Sequence, residues 1–139
     1  MDNAIEGDTV LVAEGTYVEN IIWPATNGIK LIGSGEEDCI VDGDSLASVI
    51  RFEEDLSGII DATTLVSLFT IQNGLGGIYL NESSPYLENV TIANNTASNG
   101  GGIYCRFSSP VLENVTISGN SASSSGGGIY CNNNSSPSL

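Results

Sequence analysis

The sequence predicts an all-β protein, a right-handed parallel β-helix (solenoid) of about four to five coils. Three observations lead to this prediction: a near-identical repeat of about 25 residues, short segments in which apolar and polar residues alternate, and an abundance of Gly, Ser and Asn. A repeat of this length is typical of a solenoid, in which each unit packs only against its neighbours.

The repeat is marked by three landmarks that return in the same order and with nearly the same spacing. Because they share one spacing, we expect each repeat to be one coil, with each short strand paired in parallel to its counterpart in the next coil, about 4.8 Å away. Ile78, Ile103 and Ile129 should then lie above one another. The landmarks are Gly-Gly-Ile-Tyr at 76–79, 101–104 and 127–130, Ser-Ser-Pro at 83–85, 108–110 and 135–137, and Leu-Glu-Asn-Val-Thr-Ile at 87–92 and 112–117.

The strands themselves are predicted from alternation, as in Val-Thr-Ile at 115–117, which is typical of a half-buried strand. Residues 68–139 hold the regular repeats, residues 1–52 form less regular N-terminal coils, and residues 53–67 are predicted as a long inserted loop. The whole chain, 1–139, is interpreted as one domain and as a segment of a longer solenoid. Before the regular repeats and at their start, the predicted strands are 9–12, 29–32, 39–41, 49–52 and 68–71.

The stretches rich in Ser, Asn and Gly are predicted to be the corners at which each coil turns. Asn tolerates left-handed backbone angles and bonds its own backbone, and Gly adopts positive φ at little cost. Asn95 and Asn120 are 25 residues apart, so we expect their side-chain amides to stack as a ladder inside one corner.

The charge balance excludes several classes of function. The net charge is −14, with three basic residues against 17 acidic ones, so the chain cannot neutralise many phosphates and nucleic acid is excluded as a partner. No apolar run is long enough to span a bilayer, and the same charge disfavours anionic lipid surfaces. The sequence has no His, which removes Ser–His and Cys–His nucleophiles and the usual zinc ligand sets.

Two parts of the chain resemble known β-helix families. The stretch TISGNSASSSGGGIYC is similar to the repeats of chlamydial polymorphic outer-membrane proteins, with Gly-Gly-Ile at 101–103 and 127–129, and Ile-x-x-Asn at 92–95 and 117–120, in the place of their signatures. The stretch GDTVLVAEGTYVENI, followed by IKLIGSG and CIVDG, resembles the opening coils of pectin-lyase-like proteins. These resemblances imply a right-handed parallel β-helix on an extracellular or cell-surface bacterial protein, often an adhesin.

The pectin-lyase-like resemblance implies a scaffold rather than catalysis, because the signature segments of pectin methylesterases and polygalacturonase-like enzymes are missing. Only Asp42 and Asp44 with Arg51 could replace the calcium-binding aspartates and the catalytic Arg of pectate lyases. The main interpretation is therefore a non-catalytic segment that acts in adhesion or display. Two alternatives stay open: a polysaccharide-active enzyme (a lyase or esterase) whose active coils are missing or degenerate, and a purely structural spacer.

A row of aromatic side chains is the candidate binding face. Tyr79, Tyr104 and Tyr130 should stack outward along one face, with Arg51 beneath Tyr79 and Arg106 nearby. Exposed aromatics form a platform for sugar rings or for another protein, so the expected partner is a polysaccharide or a host or neighbouring surface protein. The alternative is stacking that only stabilises the sheet.

No cofactor is expected, with calcium as the alternative. Its ligands would be drawn from Asp42, Asp44, Glu53, Glu54 and Asp55, because hard cations prefer clustered carboxylate oxygens. The competing interpretation is a solvated acidic face that keeps the protein soluble.

The three cysteines lack CxxC spacing. Cys105 and Cys131 occupy equivalent positions in neighbouring repeats, so their Cα atoms should lie about 5 Å apart, within disulfide range. We expect two stacked thiols that fill the core, and no partner for Cys39. Uncapped solenoid ends would expose strand edges, which further predicts end-to-end self-association.

Overall fold

The computed structural model describes residues 3–52 and 59–139. Within these residues the secondary structure elements are all β-strands. In chain order the strands are β1 (Thr9–Leu11), β2 (Gly15–Val18), β3 (Ile21–Ile22), β4 (Lys30–Ile32), β5 (Cys39–Asp42), β6 (Ile50–Phe52), β7 (Leu65–Gln72), β8 (Ile78–Asn81), β9 (Tyr86–Ala93), β10 (Thr96–Asn99), β11 (Ile103–Arg106), β12 (Val111–Ser118), β13 (Ser121–Ser125) and β14 (Ile129–Asn132).

The strands stack in parallel as a β-solenoid of about five coils, which confirms the predicted fold class. One sheet runs in the order β14-β11-β8-β6-β3, with one strand from each coil. Its register aligns Ile78 with Ile103 and Ile103 with Ile129, as the repeat spacing predicts. Matching residues of successive repeats therefore become neighbours in space.

The second large sheet contains strands that bend between two faces of the solenoid. The first half of β7 pairs with β4 and its second half pairs with β5, so two short strands of one coil become a single eight-residue strand in the next. The bend lies at Leu68, Asn89 and Asn114, whose φ values are 64°, 52° and 52°. Asn accepts this left-handed conformation far more readily than Leu does.

The core is a column of inward-facing aliphatic side chains. Along each strand the alternate residues are buried, because successive side chains of a strand point to opposite faces. Ile50, Ile78 and Ile103 are each no more than 1% exposed, whereas the tyrosines that follow the last two are partly exposed. Trp23 stacks on Phe52 with 4.8 Å between ring centroids and continues the column into the first coil.

The predicted amide ladder is confirmed at the corner after β9 and β12. The Asn95 side-chain amide donates to the Asn120 Oδ1 (3.0 Å) and to the Ile71 carbonyl (3.2 Å), and its Oδ1 accepts from the Gly74 amide (2.9 Å). Asn95 is fully buried, and these bonds satisfy a side chain that would otherwise be costly to bury. The ladder therefore ties three successive coils together.

Two local predictions need correction. The last residues of the predicted 53–67 loop, 65–67, belong to β7, because Val66 is fully buried and this segment pairs with β4. The Ser-rich stretches predicted as corners instead form β10 and β13, a separate two-stranded parallel sheet. When equivalent coils stack, their backbones can form β-ladder hydrogen bonds even where the side chains bury little apolar surface.

Candidate functional site

The candidate binding face, here called the tyrosine face, consists of Arg51, Tyr79, Tyr104 and Tyr130. Parallel pairing places these residues in direct register, Arg51 opposite Tyr79, Tyr79 opposite Tyr104, and Tyr104 opposite Tyr130. The ring centroids are 5.1 and 5.3 Å apart, and the Arg51 guanidinium carbon lies 5.0 Å from the Tyr79 ring centroid. The structure thus brings together the row that the repeat spacing predicts.

The orientation of the rings decides what they can offer a ligand. The interplanar angles are 12° and 27°, so the ring faces lie against one another along the solenoid axis. Tyr104 is covered on both faces by its neighbours, and its hydroxyl accepts a hydrogen bond from the Asn132 side chain (3.2 Å). What this face turns outward is therefore a row of ring edges and hydroxyls, with the centre of the stack closed to a flat ligand.

A groove of about 220 Å³ runs beside this row. One wall is formed by Tyr79 and Tyr104, and the other wall comes from β10. The lining contains hydroxyl, amide and apolar groups but no charged side chain. It comprises Ser48, Leu75, Gly76, Ile78, Tyr79, Ala97, Ser98, Asn99, Gly100 and Tyr104.

Arg106 lies on the same sheet but contacts different partners. Its guanidinium carbon is 5.3 Å from the Phe107 ring centroid, and its Nη1 donates to the Asn81 Oδ1 (3.4 Å). Arg106 was predicted to lie near the tyrosines, whereas its ring contact is with Phe107, which is 46% exposed and has a φ of 49°. A single non-repeated residue in a turn carries no periodic signal that could reveal such a contact.

Asp42, one of the carboxylates proposed for calcium, is engaged by the protein itself. Asp42 Oδ1 accepts from the Asp44 backbone amide (2.9 Å), and Asp42 Oδ2 accepts from the side chains of Asn73 (2.7 Å) and Gln72 (3.2 Å). The hydrogen bond from the Asp44 amide holds the pKa of Asp42 below its usual value. Burial opposes this effect, and the side-chain donors of Asn73 and Gln72 add to it. Of the remaining proposed ligands, Glu53, Glu54 and Asp55 lie outside the described residues.

The predicted cysteine pair is present, with its two members in unequal environments. Cys105 and Cys131 are in register on β11 and β14, which makes their side chains neighbours, and they are not joined by a disulfide. Cys105 is fully buried and Cys131 is exposed. Burial raises the pKa of the Cys105 thiol far above its usual range, and the neighbouring Cys131 adds to the effect.

Cys39 lies apart from this pair on β5, in the other large sheet. It is fully buried, and its thiol donates to the Ala13 carbonyl at 3.6 Å. It therefore serves as an internal reference for a buried thiol without a sulfur neighbour in the same register.

A further cavity of about 500 Å³ opens in the first coil. Its walls include Val10, Val12, Tyr17 and Ile21, which pack against the core cluster. It is therefore the apolar interior of the solenoid seen from its N-terminal side. No cluster of titratable groups accompanies it, since Glu19 is the one acidic side chain in its lining.

The fold and the stacked rows of side chains define a parallel β-solenoid whose later coils, over residues 68–139, carry a regular repeat. Over residues 1–139 the chain matches the family model described as NosD, periplasmic copper-binding protein. The chain belongs to the NosD family, a periplasmic β-helix family, which agrees in coarse terms with the expected location outside the cytoplasm. No curated protein and no solved structure matches the chain. Within residues 3–52 and 59–139, no helix has the length and hydropathy needed to cross a membrane.

The family corrects the expectation of no cofactor with calcium as the alternative, because its described metal is copper. Among the described residues, no group of three or more His, Cys, Asp or Glu side chains is placed to hold a metal ion. The sequence has no His, so the imidazole ligands that suit divalent copper are missing. The two neighbouring thiols of Cys105 and Cys131 are donors of the soft type that suits monovalent copper.

Proposed function

We propose that this chain is a non-catalytic β-helix segment of a bacterial protein outside the cytoplasm, acting in adhesion or display by binding an uncharged polysaccharide along the tyrosine face. The observation that carries the proposal is the groove of about 220 Å³ walled by Tyr79 and Tyr104. The resemblance of the repeats to chlamydial surface proteins and of the N-terminal coils to pectin-lyase-like proteins supports the same role.

The chemistry of the groove favours a sugar polymer over an apolar ligand. Hydroxyl and amide side chains from Ser48, Ser98 and Asn99 line it together with the two tyrosines. Such groups match the hydroxyls of a sugar, and the apolar parts of the wall can contact its C–H faces. Because Tyr104 is covered on both ring faces, we expect the polymer to lie across the ring edges and hydroxyls rather than on a ring face.

The charge of the protein favours a neutral polymer over an acidic one. The chain carries a net charge of −14, which repels polyuronates at long range, and the groove lining has no charged side chain to compensate. The repeat also fits a polymer, because the coils present equivalent groups at intervals of about 4.8 Å along a rigid sheet. A ligand of repeating units can therefore contact several coils without ordering a flexible loop.

The test is a titration of the chain with soluble neutral glucans and mannans, followed by affinity electrophoresis of two variants. Tyr104→Ala removes a groove wall and the centre of the stack, so binding should be lost. Tyr104→Phe keeps the ring and removes the hydroxyl, so binding should weaken by an amount that reports the hydroxyl alone, about 0.5–1.5 kcal/mol for one hydrogen bond.

Tyr86→Ala is the matched control, since Tyr86 lies on β9 in the other large sheet and bonds Glu113. It removes a tyrosine of the same size without touching the groove. If the native chain binds none of these polymers, or if Tyr86→Ala weakens binding as much as Tyr104→Ala, the proposed function is wrong. A chain that binds nothing would leave the structural spacer as the best interpretation.

A polysaccharide-active enzyme is the rival interpretation, with Asp42 as its acidic group. Both Asp42 oxygens already accept hydrogen bonds, and Arg51 lies against the Tyr79 ring, which leaves this arrangement with little to offer a substrate. Incubation with pectin and polygalacturonate distinguishes the two ideas. Release of unsaturated product or acid, abolished in Asp42→Asn, would favour the enzyme.

Copper binding is a second candidate function, taken from the family description. The register that places the Cys105 and Cys131 thiols beside each other favours it, because soft sulfur ligands select monovalent copper. Anaerobic loading with Cu(I), desalting and measurement of copper per chain tests this role. A chain that retains no copper after desalting would speak against it.

A further inference from the structure

We infer that Cys105 and Cys131 form a two-sulfur site for Cu(I) that joins the fourth and fifth coils. The inference rests on the copper role proposed for the chain and adds to it the ligating residues and the oxidation state. It starts from the register of β11 and β14, which places these two residues directly opposite each other.

The geometry places the two cysteine side chains next to each other on the inner side of the sheet. In this sheet Tyr104 and Tyr130 form the outward stack, and side chains alternate along a strand, so the cysteines that follow them both point inward. The register makes their thiols neighbours across the two strands. Below them in the same column lies Leu80, which is fully buried and supplies an apolar floor.

The surroundings favour a soft monovalent ion over the common divalent competitors. Calcium and magnesium require oxygen ligands, and zinc commonly takes four ligands, whereas this column contributes two sulfurs and aliphatic carbon. Thiolate sulfur is the ligand type that selects Cu(I). A monovalent cation bound to two thiolates leaves a net charge of minus one. Burying this charge in an apolar site costs less free energy than burying two thiolates without the ion.

Access and proton release follow from the unequal environments of the two thiols. Cys131 is exposed and gives an ion a path to the pair, whereas Cys105 is fully buried. Binding replaces one S–H proton on each ligating sulfur, and both protons leave to the buffer while copper stays in the monovalent state. Because each sulfur binds copper as a thiolate, uptake must release protons and must weaken as the pH falls.

The experiment is an anaerobic titration of the reduced chain with Cu(I) in competition with a chromogenic Cu(I) chelator. We expect one ion per chain, sulfur-only coordination in X-ray absorption, and release of protons into a weakly buffered solution. Cys131→Ala changes an exposed residue and should leave the fold intact. Its affinity should fall by roughly 100-fold or more, since loss of a supporting group alone costs about 10–100-fold.

Cys39→Ala is the control, because it removes a buried thiol from the other large sheet and should leave the affinity unchanged. Unchanged affinity in Cys131→Ala would overturn the assigned site while leaving a copper role for the chain. Failure of the native chain to compete for Cu(I) at all would overturn both. Equal losses in Cys131→Ala and Cys39→Ala would show that the effect comes from the fold and would also overturn the site.

Discussion

The glycine before each Ile-Tyr pair should be essential wherever another coil lies directly above it. Gly102 illustrates this, because a Cβ atom added there would lie 2.5 Å from the Gly128 carbonyl oxygen and 2.9 Å from the Ile117 Cγ2. Real Cβ contacts essentially never fall below 3.0 Å, so one coil must move by about half an ångström to reach even that distance.

The carbonyl cannot move without cost, because it already accepts hydrogen bonds from the amides of Gly102 (3.0 Å) and Ile103 (2.9 Å). Overpacking of this kind costs about 1–3 kcal/mol, and we expect the upper half of that range because the opposing atom is backbone. Replacing Gly by Ala also restricts the unfolded chain, which stabilises the protein by about 0.4–1 kcal/mol. The net loss for Gly102→Ala should therefore be about 1–2.6 kcal/mol.

Gly128→Ala is the matched control. It is the equivalent glycine of the next coil, and its added Cβ would meet the Ile117 Cγ2 at 3.6 Å, an ordinary van der Waals contact. Since the unfolded-state effect is the same in both variants, the difference between them isolates the steric cost, about 2–3 kcal/mol. Urea denaturation followed by circular dichroism in the β-sheet region measures both free energies of unfolding.

Equal urea midpoints for the two variants would refute this reasoning. Such a result would mean that the coils stack with enough slack to accept a methyl group, and that the glycines are retained for another reason. A loss in Gly102→Ala accompanied by a changed denaturant slope would instead point to a change in the compactness of the native or unfolded state.

Three further predictions concern the corners and the acidic turn. Asn95→Ala should lower the free energy of unfolding by roughly 2–3 kcal/mol, because it leaves the Gly74 amide without its acceptor and opens a cavity. A loss below about 1 kcal/mol, measured by urea denaturation, would contradict the amide ladder. Asn114→Leu should cost about 1–2 kcal/mol at its φ of 52°, whereas Asn114→Gly, which adopts that angle freely, should cost less; equal melting temperatures would argue against backbone strain. Asp42 has a lowered pKa, so its stabilising effect is present above the usual carboxyl pKa and is lost as the pH falls through the lower folded value. Asp42→Asn should remove that part of the acid dependence, and identical pH profiles would exclude the proposed bonds.

The tyrosine face shows how far a repeat can take a prediction and where it stops. That Tyr79, Tyr104 and Tyr130 would be neighbours followed from their spacing, because parallel strands about 4.8 Å apart convert equal positions into contacts. That the rings would lie face to face did not follow, since ring orientation depends on the side-chain torsion angles that the neighbouring rings permit. The groove was missed because its wall at 96–100 was interpreted as a corner.

The unrepeated parts of the chain were the hardest to predict. Leu68 has the left-handed backbone conformation that Asn has at the equivalent position of the next two coils. Because Leu seldom adopts this conformation, the bend in β7 could not be predicted from the residue type. The acidic cluster around Asp42 looked suited to calcium, yet the donors that occupy its oxygens include Asn73 and Gln72 from another coil. These hydrogen-bond donors come from a neighbouring coil. Where the sequence is irregular, its spacing does not show which residues of that coil will lie beside Asp42.

The sequence by itself determined the parallel stacking, the register of the regular repeats and the columns of identical residues. Because several landmarks share one period, only one register of strand pairing aligns all of them. The tertiary structure decided which surfaces these columns expose: closed ring faces and open hydroxyls on the tyrosine face, a buried Cys105 beneath an exposed Cys131, and an Asp42 saturated by amide donors. The physical reason is that the register follows from backbone hydrogen bonds between equivalent positions of successive repeats. The exposure of a side chain and its hydrogen-bond partners depend instead on contacts between residues that are not equivalent.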